Sequence, residues 1–207
     1  MSRIAVIVYH KNADTLYPKE WIDEFRNSIL NQTHKDFDII ECNYGGKKHR
    51  IFDTSVFYKK KYPTFVHALN DILDKAFKEY DYVFNTNVDD FYSIHRIEKQ
   101  LPYLKQGYDI VSSDFMNVYD NGEWKPLRFH DKDIAYELGM SHNVICHPCV
   151  AYSKKFWEAN RYVPSEIPYE DLKLWQRSHD THKFIILRDI LCFHRIHESS
   201  VCRSTNR

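Results

Sequence analysis

Two adjacent carboxylates, Asp89 and Asp90, are the most informative candidates for chemistry in this 207-residue chain. Neighbouring carboxylates repel each other unless a cation or a set of hydrogen-bond donors neutralises them. Hard divalent ions such as Mg²⁺ and Mn²⁺ take oxygen ligands, and proteins commonly share them with a substrate diphosphate. The pair therefore indicates a divalent-metal site. The alternative is the turn before a helix, where acidic residues are also favoured.

The first half of the chain alternates strand-like and helix-like segments, which predicts the elements that position these carboxylates. Short apolar runs at 4–9, 37–42 and 82–84 are typical of buried strands. Apolar residues recur at helical spacing between the runs, most clearly over 65–76, where Thr64 is the expected N-cap. This order predicts an α/β fold with a mostly parallel sheet and helices on both faces.

The second half of the chain is less regular. Asn121-Gly122 predicts a hairpin turn, and the segment 144–152 is typical of a strand. Helices are expected over 153–159 and 169–178. Two further strands, at 184–187 and 190–193, are expected to be joined by a charged turn.

Three predicted strand ends carry polar side chains: Tyr9-His10, Asn43-Tyr44 and Asp89-Asp90. In open α/β sheets, ligands bind beyond the carboxyl ends of the strands. We therefore expect these three strand ends, although distant in sequence, to meet in one crevice.

The composition narrows the classes of function. Lys plus Arg and Asp plus Glu both number 29, so the formal net charge is zero. This balance argues against a general nucleic-acid or anionic-membrane binder. The apolar run at 4–9 is too short for a signal peptide or a membrane span. The five cysteines are an odd number without framework spacing, which predicts reduced thiols and a cytoplasmic protein.

The Cys146-x-x-Cys149 spacing has two functional alternatives. A redox dithiol needs its first cysteine at a helix N-terminus, whereas this pair is expected in or near a strand. A zinc site would need further ligands from the candidates Cys192, His194, His197 and Cys202. Buried reduced thiols are the favoured interpretation.

Several motifs, taken in chain order, resemble those of the GT-A glycosyltransferases, especially the large family 2. The helix with Ala68-Leu69-Asn70, the next strand and Asn87-Val88-Asp89-Asp90 are similar to the family's Ala-Leu-Asn helix, strand and Asp-x-Asp-Asp block. Later matches are His147-Pro148-Cys149-Val150 with a strand near the acceptor site, Glu170-Asp171 with the Glu-Asp motif, and His194-Arg195-Ile196-His197 with a Tyr-Arg-x-His ending. The resemblance covers nearly the whole chain.

The resemblance implies an activity and a set of residue roles. A sugar would pass from a nucleotide-diphosphate donor, with UDP the favoured carrier, to an acceptor hydroxyl. Asp89 would bind Mn²⁺ or Mg²⁺, and His197 would be a further ligand of the metal or of the diphosphate. Asp171 would be the general base of an inverting single displacement, with Glu170 beside it. The remaining candidates for donor contacts are Tyr9, His10, Asn43, His67, Asn87 and Asp90.

The resemblance also implies a single catalytic domain over 1–207. Residues 1–115 would form the nucleotide-sugar-binding half, and residues 116–207 the acceptor-side half that carries the base. The chain is a whole protein or a module of a larger enzyme. Its glycan, lipid-linked or protein-linked acceptor is not specified by the sequence.

Some positions depart from the family's pattern. Asn87 replaces the first Asp of Asp-x-Asp, and Cys42-Asn43-Tyr44 replaces an acidic pair that commonly reads the base. These departures leave a catalytically inactive sugar-nucleotide or carbohydrate-binding domain as one alternative. A nucleotidyltransferase is another, although it normally has a Gly-rich loop after the first strand. For Glu170-Asp171, ordinary acidity in the first turn of a helix is the competing interpretation.

Overall fold

A mixed nine-stranded sheet forms the centre of the protein, whose computed structural model describes residues 2–197. The strands are β1 (Ile4–His10), β2 (Asp38–Asn43), β3 (Val56–Lys59), β4 (Tyr82–Phe84), β5 (Phe91–Tyr92), β6 (Ile110–Tyr119), β7 (Trp124–Leu127), β8 (Ala151–Ser153) and β9 (Phe184–Ile196). The helices are α1 (Ala13–Leu16), α2 (Lys19–Leu30), α3 (Phe65–Ala76), α4 (Arg96–Lys105), α5 (Ile134–Gly139), α6 (Lys154–Ala159) and α7 (Glu170–Ser178). The strand order is β3-β2-β1-β4-β8-β6-β9-β5, and β7 pairs with β6.

The first half of the chain builds the parallel part of the sheet, β3-β2-β1-β4. All seven residues of β1 are buried, because β1 lies between two strands and both of its faces are covered. Ala5 and Ile7 pack in the same cluster as α3, whereas Val6 and Val8 pack in the cluster that contains α2 residues. This arrangement confirms the predicted α/β class.

The second half of the chain extends the sheet with strands of both directions. Strand β8 is antiparallel to β4 and to β6, between which it lies. Strands β6 and β9 are parallel over their whole length, and β5 and β7 add short antiparallel pairings. The result is a sheet that is mostly parallel, with its longest strands on the side away from β1.

The predicted strands at 184–187 and 190–193 are one continuous strand, so the expected charged turn between them was wrong. Arg188 and Asp189 are exposed within β9, where its register against β6 shifts beside Ser113 and Asp114. A bulge of this kind inserts extra residues without ending the strand. Two charged residues therefore marked a bulge in β9.

The predicted strand over 144–152 is also corrected. Only its last two residues, Ala151 and Tyr152, belong to β8, and a 3₁₀ helix occupies His147–Cys149. Pro148 lies within that turn, and proline lacks the N–H that a central strand needs for its ladder. The sequence pattern also did not predict the short strands β3 and β5.

The helices are short and cover the two faces of the sheet. Helices α3, α6 and α7 contribute to one core cluster, around Trp157 and Trp175, and α2 and α4 contribute to the other. Helix α3 has the predicted bounds, and Thr64 is its N-cap residue, although the Thr64 side chain makes no capping hydrogen bond. None of the helices in the described part of the chain is long and apolar enough to cross a bilayer.

Candidate functional site

A cleft of about 570 Å³ opens at the carboxyl ends of β1 and β4 and continues between the end of β9 and the start of α7. Because parallel strands end at the same edge of a sheet, segments far apart in sequence meet here. Seven of the ten predicted site residues line this cleft: Tyr9, His10, Asn87, Asp89, Glu170, Asp171 and His197. The predicted crevice at the strand ends is therefore present.

The other three predicted residues, Asn43, His67 and Asp90, do not line the cleft. Asn43 is fully buried, and its Oδ1 accepts hydrogen bonds from the backbone N–H groups of Asn12 and Gly45, each at 3.0 Å. His67 lies in the first turn of α3, with its Nδ1 2.9 Å from Thr64 Oγ1. Asn43 thus shapes the turn after β2, and His67 contacts its own helix cap.

Asp89 and His197 meet in the cleft, where the segment after β4 reaches the end of β9. Their Oδ2 and Nε2 atoms are 3.1 Å apart, although the residues are 108 positions apart in the chain. The His197 ring also packs against Trp21, with ring centroids 5.2 Å apart, and edge-to-face against Tyr17 at 6.1 Å. These contacts hold the imidazole against the Asp89 carboxylate.

This pair fits part of the coordination shell of a divalent ion. Two ligands at about 2.1 Å from one octahedral ion lie roughly 3 Å apart when they subtend a right angle. The separation of 3.1 Å between Asp89 Oδ2 and His197 Nε2 is a hydrogen-bond distance and is also compatible with that value. Within residues 2–197, no group of three or more His, Cys, Asp or Glu side chains is arranged to hold an ion. Two ligands do not complete the shell of a divalent ion, so the others would come from water or from a bound ligand, as is common for Mg²⁺.

Asp90 is buried behind this pair and anchors the end of β9. Its Oδ1 accepts hydrogen bonds from His194 Nδ1 and from the backbone N–H of Arg195, both at 3.0 Å. Burial raises the pKa of the Asp90 carboxyl, and the His194 side chain opposes that shift. Asp90 Oδ2 is buried and has no hydrogen-bond partner in the described part of the chain. Asp90 therefore positions β9 against the β4–β5 loop.

Asn87 lies where the family pattern has its first aspartate. Tyr9 donates a hydrogen bond of 3.2 Å from its hydroxyl to Asn87 Oδ1, and the Asn87 backbone N–H donates to the Tyr92 hydroxyl at 2.9 Å. The Asn87 side-chain amide is thus hydrogen-bonded to Tyr9, near the end of β1. It adds a neutral polar group to the cleft wall beside Asp89.

Glu170 and Asp171 line the cleft at the start of α7. Asn143 Nδ2 donates a hydrogen bond of 2.7 Å to Asp171 Oδ2. Glu170 is 7% exposed, and its buried Oε2 has no hydrogen-bond partner in the described residues. Desolvation, reinforced by the charges of Asp171 and Glu166, raises the pKa of Glu170 to about 7. The two neighbouring carboxyl groups therefore lie in different environments.

Glu41 is a structural residue beside the cleft residue His10, and none of the sequence motifs includes it. It is fully buried in β2 and accepts hydrogen bonds from the backbone N–H groups of Ile51 and Phe52 and from Ser55 Oγ. His10 Nδ1 accepts from the Ala13 N–H, which leaves Nε2 to donate to Glu41 Oε1 at 3.1 Å. The only sequence feature that could have predicted this role is an acidic residue inside an otherwise apolar strand.

The cysteines near the cleft are buried thiols. Cys42, Cys146, Cys149 and Cys192 are free and buried, and Cys146 touches the cleft wall. Burial opposes ionisation of Cys149, but hydrogen bonds with Cys192 and Ser113 and the charge of Arg96 lower its pKa to about 7. No zinc-binding group is found among the described residues. The fifth cysteine, Cys202, lies outside them.

Comparison with known proteins identifies the class to which this fold and cleft belong. The sequence model of the family described as "Glycosyl transferase family 2" matches residues 4–160. The chain therefore belongs to glycosyl transferase family 2, and the protein is a glycosyltransferase. The match covers Asp89 and ends before Glu170, Asp171 and His197.

Two curated relatives carry the same activity in their names. The O-antigen biosynthesis glycosyltransferase WbnJ of Escherichia coli is 26% identical over 200 residues, which are 89% of this chain and 78% of WbnJ. The uncharacterized glycosyltransferase MJ1057 of Methanocaldococcus jannaschii is 26% identical over 195 residues, which are 86% of this chain and 67% of the relative. Both similarities extend over most of the chain.

Solved structures show the GT-A fold. S. aureus TarS 1-349 in complex with UDP superposes with a TM-score of 0.71 at 14% identity, over 94% of this chain and 60% of that chain. GalNAc-T7 with UDP, GalNAc and Mn²⁺ superposes with a TM-score of 0.69 at 9% identity, over 96% of this chain and 45% of that chain. The protein thus spans about half of these two larger structures.

Proposed function

We propose that the protein transfers a sugar from a UDP-sugar donor to an acceptor hydroxyl, with a divalent ion bound at Asp89. The main support for this proposal is the distance of 3.1 Å between Asp89 Oδ2 and His197 Nε2, both of which line the cleft. Among the similar structures, one of TarS contains UDP, another of TarS contains UDP-GlcNAc, and that of GalNAc-T7 contains UDP, GalNAc and Mn²⁺. Family membership favours this reaction over the nucleotidyltransferase alternative.

The donor would lie along the ends of β1 and β4. Tyr9, Tyr44 and Phe65 line this part of the cleft and offer aromatic surface to a nucleoside. Asp89 Oδ2 and His197 Nε2 would hold the ion that meets the donor diphosphate. Such an ion stabilises the negative charge that develops on the leaving diphosphate, which is greater in the transition state than in the ground state.

Asp171 would accept the proton of the acceptor hydroxyl. The acceptor oxygen would form a bond to the anomeric carbon while the bond from that carbon to the diphosphate breaks, with inversion. Asn143 holds the Asp171 carboxylate through Oδ2, which fixes its direction in the cleft. Glu170, whose raised pKa of about 7 keeps part of its population protonated, would offer a hydrogen bond to a sugar oxygen rather than a second charge.

Turnover with a panel of nucleotide sugars tests this proposal. We expect Mn²⁺-dependent release of UDP from at least one UDP-hexose, with loss of most activity in Asp89→Ala and in Asp171→Asn. Exposed Asp36, which precedes the amino end of β2 at the opposite edge from the cleft, supplies the control Asp36→Asn. Turnover of GDP- or dTDP-sugars alone would refute UDP as the carrier, and unchanged turnover in Asp89→Ala would refute the ion site.

A further inference from the structure

Three side chains form a hydrogen-bonded row beneath the cleft. Tyr152 and Tyr162 have their hydroxyl oxygens 2.7 Å apart, and the Tyr162 hydroxyl lies 3.0 Å from His147 Nε2. Both tyrosines are buried, at 0% and 2% exposure, whereas His147 lines the cleft. The row therefore runs from the protein interior to the surface of the cleft.

Proton counting fixes the direction of these hydrogen bonds. In the described part of the chain, the Tyr152 hydroxyl has Tyr162 as its hydrogen-bond partner. If Tyr162 donated to Tyr152, the buried Tyr152 proton would have no acceptor, which is costly. Tyr152 therefore donates to Tyr162, and Tyr162 donates to His147 Nε2. A neutral imidazole that accepts at Nε2 carries its proton on Nδ1.

The surroundings keep the His147 ring neutral and in place. Burial lowers the pKa of His147, and the Asp171 charge opposes this shift. The ring packs edge-to-face against Tyr162, with centroids 5.5 Å apart, and tilted against Trp175 at 6.4 Å. Its backbone carbonyl accepts a hydrogen bond of 3.0 Å from Asn85 Nδ2. Both the ring and the backbone of His147 are thus held.

The position of His147 points to its ligand. Asn85 follows β4 in the segment that leads to Asp89, so its bond to His147 ties that histidine to the donor end of the cleft. Asp171, at the start of α7, is close enough to influence the His147 ring. A transferred sugar must lie between the diphosphate site and the base, because its anomeric carbon loses its bond to the diphosphate oxygen and gains a bond to the acceptor oxygen that the base deprotonates. His147 contacts the segment that leads to Asp89 and lies near Asp171, the two groups that would flank such a sugar.

We infer that His147 presents Nδ1–H to the cleft and donates a hydrogen bond to a hydroxyl oxygen of the donor sugar, with Tyr152 and Tyr162 fixing that tautomer. This inference rests on the proposed UDP-sugar donor for the identity of the ligand. The assignment of the His147 tautomer does not depend on that donor, since it follows from the row of hydrogen bonds alone. His147 is accordingly a residue that recognises the sugar rather than one that moves the reacting proton.

Nitrogen NMR of ¹⁵N-histidine-labelled protein at pH 8 tests the tautomer directly. We expect a protonated Nδ1 and an unprotonated, hydrogen-bonded Nε2 for His147, identified by loss of its signals in His147→Asn. In Tyr162→Phe, which keeps the ring and removes the donor to Nε2, the Nε2–H form should increase. A wild-type spectrum with the proton on Nε2 would overturn the inference, whether or not the variant folds.

Two variants of matched chemistry test the sugar contact. The side-chain amide of His147→Asn places an N–H donor near the Nδ1 position, whereas the longer His147→Gln places it near the Nε2 position. The probe is whichever of UDP-glucose, UDP-galactose and UDP-GlcNAc the wild type binds most tightly, with UDP as the sugar-free reference. We expect His147→Gln to weaken binding of that UDP-hexose by roughly tenfold, and His147→Asn by no more than about threefold, with UDP affinity unchanged in both.

The outcomes separate this inference from the proposed function. Equal losses in the two variants, or no loss in either, would refute the sugar contact. Equal weakening of UDP and the UDP-hexose would show that His147 acts on the fold or on the nucleotide instead. If the wild type bound no uridine nucleotide, the proposed donor would fail, and the sugar contact with it, while the NMR result would still decide the tautomer.

Discussion

The Arg195 guanidinium donates a hydrogen bond of 2.6 Å from one terminal nitrogen to the backbone carbonyl of Asp89. Its other terminal nitrogen pairs with Glu24 of α2. The guanidinium carbon lies 5.0 Å from the ring centroid of Trp21 and 4.8 Å from that of Phe91. Because an arginine fork is planar and bidentate, this arrangement connects α2, β9 and the β4–β5 loop in one geometry.

The first prediction concerns this connection. Arg195→Lys keeps the positive charge and removes the fork, so Asp89 is held less firmly relative to His197. We expect the affinity for UDP in the presence of Mn²⁺ to fall by about tenfold, and the affinity without Mn²⁺ to change little. Calorimetric titration measures both values. Exposed Arg188 supplies the control Arg188→Lys, and equal behaviour of the two variants would contradict the positioning role.

The second prediction concerns the buried carboxylate of Glu41. Glu41→Gln replaces one acceptor oxygen with an amide group that faces donors, so at least one buried N–H or O–H loses its partner. We expect the free energy of unfolding to fall by about 3 kcal/mol, measured by urea denaturation. Exposed Glu123 in the β6–β7 hairpin provides the control Glu123→Gln, which should change stability by less than about 0.5 kcal/mol. Equal stabilities for the two variants would be inconsistent with this account.

The third prediction concerns the pH dependence of stability at Glu170. Its pKa is raised from 4.5 to about 7 in the folded protein, so the folded state holds this proton more tightly than the unfolded state. Ionisation therefore destabilises the fold as pH rises from about 4.5 through 7, by at most roughly 3 kcal/mol. Glu170→Gln removes this loss, so its stability relative to wild type should increase between pH 5 and pH 8.

Urea denaturation at pH 5, 6, 7 and 8 measures this difference. Exposed Glu158 on α6 supplies the control Glu158→Gln, whose stability should parallel that of wild type over the same range. A constant difference between Glu170→Gln and wild type at all four pH values would show that Glu170 has no raised pKa.

The fourth prediction concerns the orientation of the proposed base. Asn143→Ala removes the amide that donates to Asp171 Oδ2 and leaves the carboxylate itself in place. We expect kcat to fall by about tenfold in Asn143→Ala and by at least about a thousandfold in Asp171→Asn, with UDP affinity unchanged in both. Steady-state kinetics give these values. If Asp171→Asn kept more than a tenth of wild-type kcat, the assignment of the base would be wrong.

Sequence periodicity was sufficient for the parallel half of the fold. The apolar run at 4–9 lies in a strand covered on both faces, and the amphipathic pattern over 65–76 matches α3 residue for residue. Periodicity was insufficient to predict the elements whose bounds depend on pairing between distant strands. Strand β9 continues through Arg188 and Asp189 because β6 pairs with it on both sides of a bulge. That register is a property of two strands more than 70 residues apart, so no local pattern contains it.

Some features of the candidate site were likewise predictable from the sequence, and others were not. Strand ends and family resemblance were sufficient to place Asp89, Asp171 and His197 in one cleft. They did not show that Asn43 faces its own turn or that His67 lies outside the cleft, because residue type alone does not give side-chain direction. The supporting contacts of Glu41 and Arg195 were also not predicted, since each depends on partners from other elements.

Titration of the protein with UDP, with and without Mn²⁺, measures whether Asp89 holds the ion, using wild type, Asp89→Asn and the control Asp36→Asn. Asp89→Asn keeps the size of the side chain and removes the charge that would hold the ion. We expect Mn²⁺ to strengthen UDP binding at least about tenfold in wild type and in Asp36→Asn, and we expect this gain to disappear in Asp89→Asn. The same gain in all three proteins, or UDP binding that is indifferent to Mn²⁺ in wild type, would contradict the assignment of Asp89 as the ion-binding residue of the donor site.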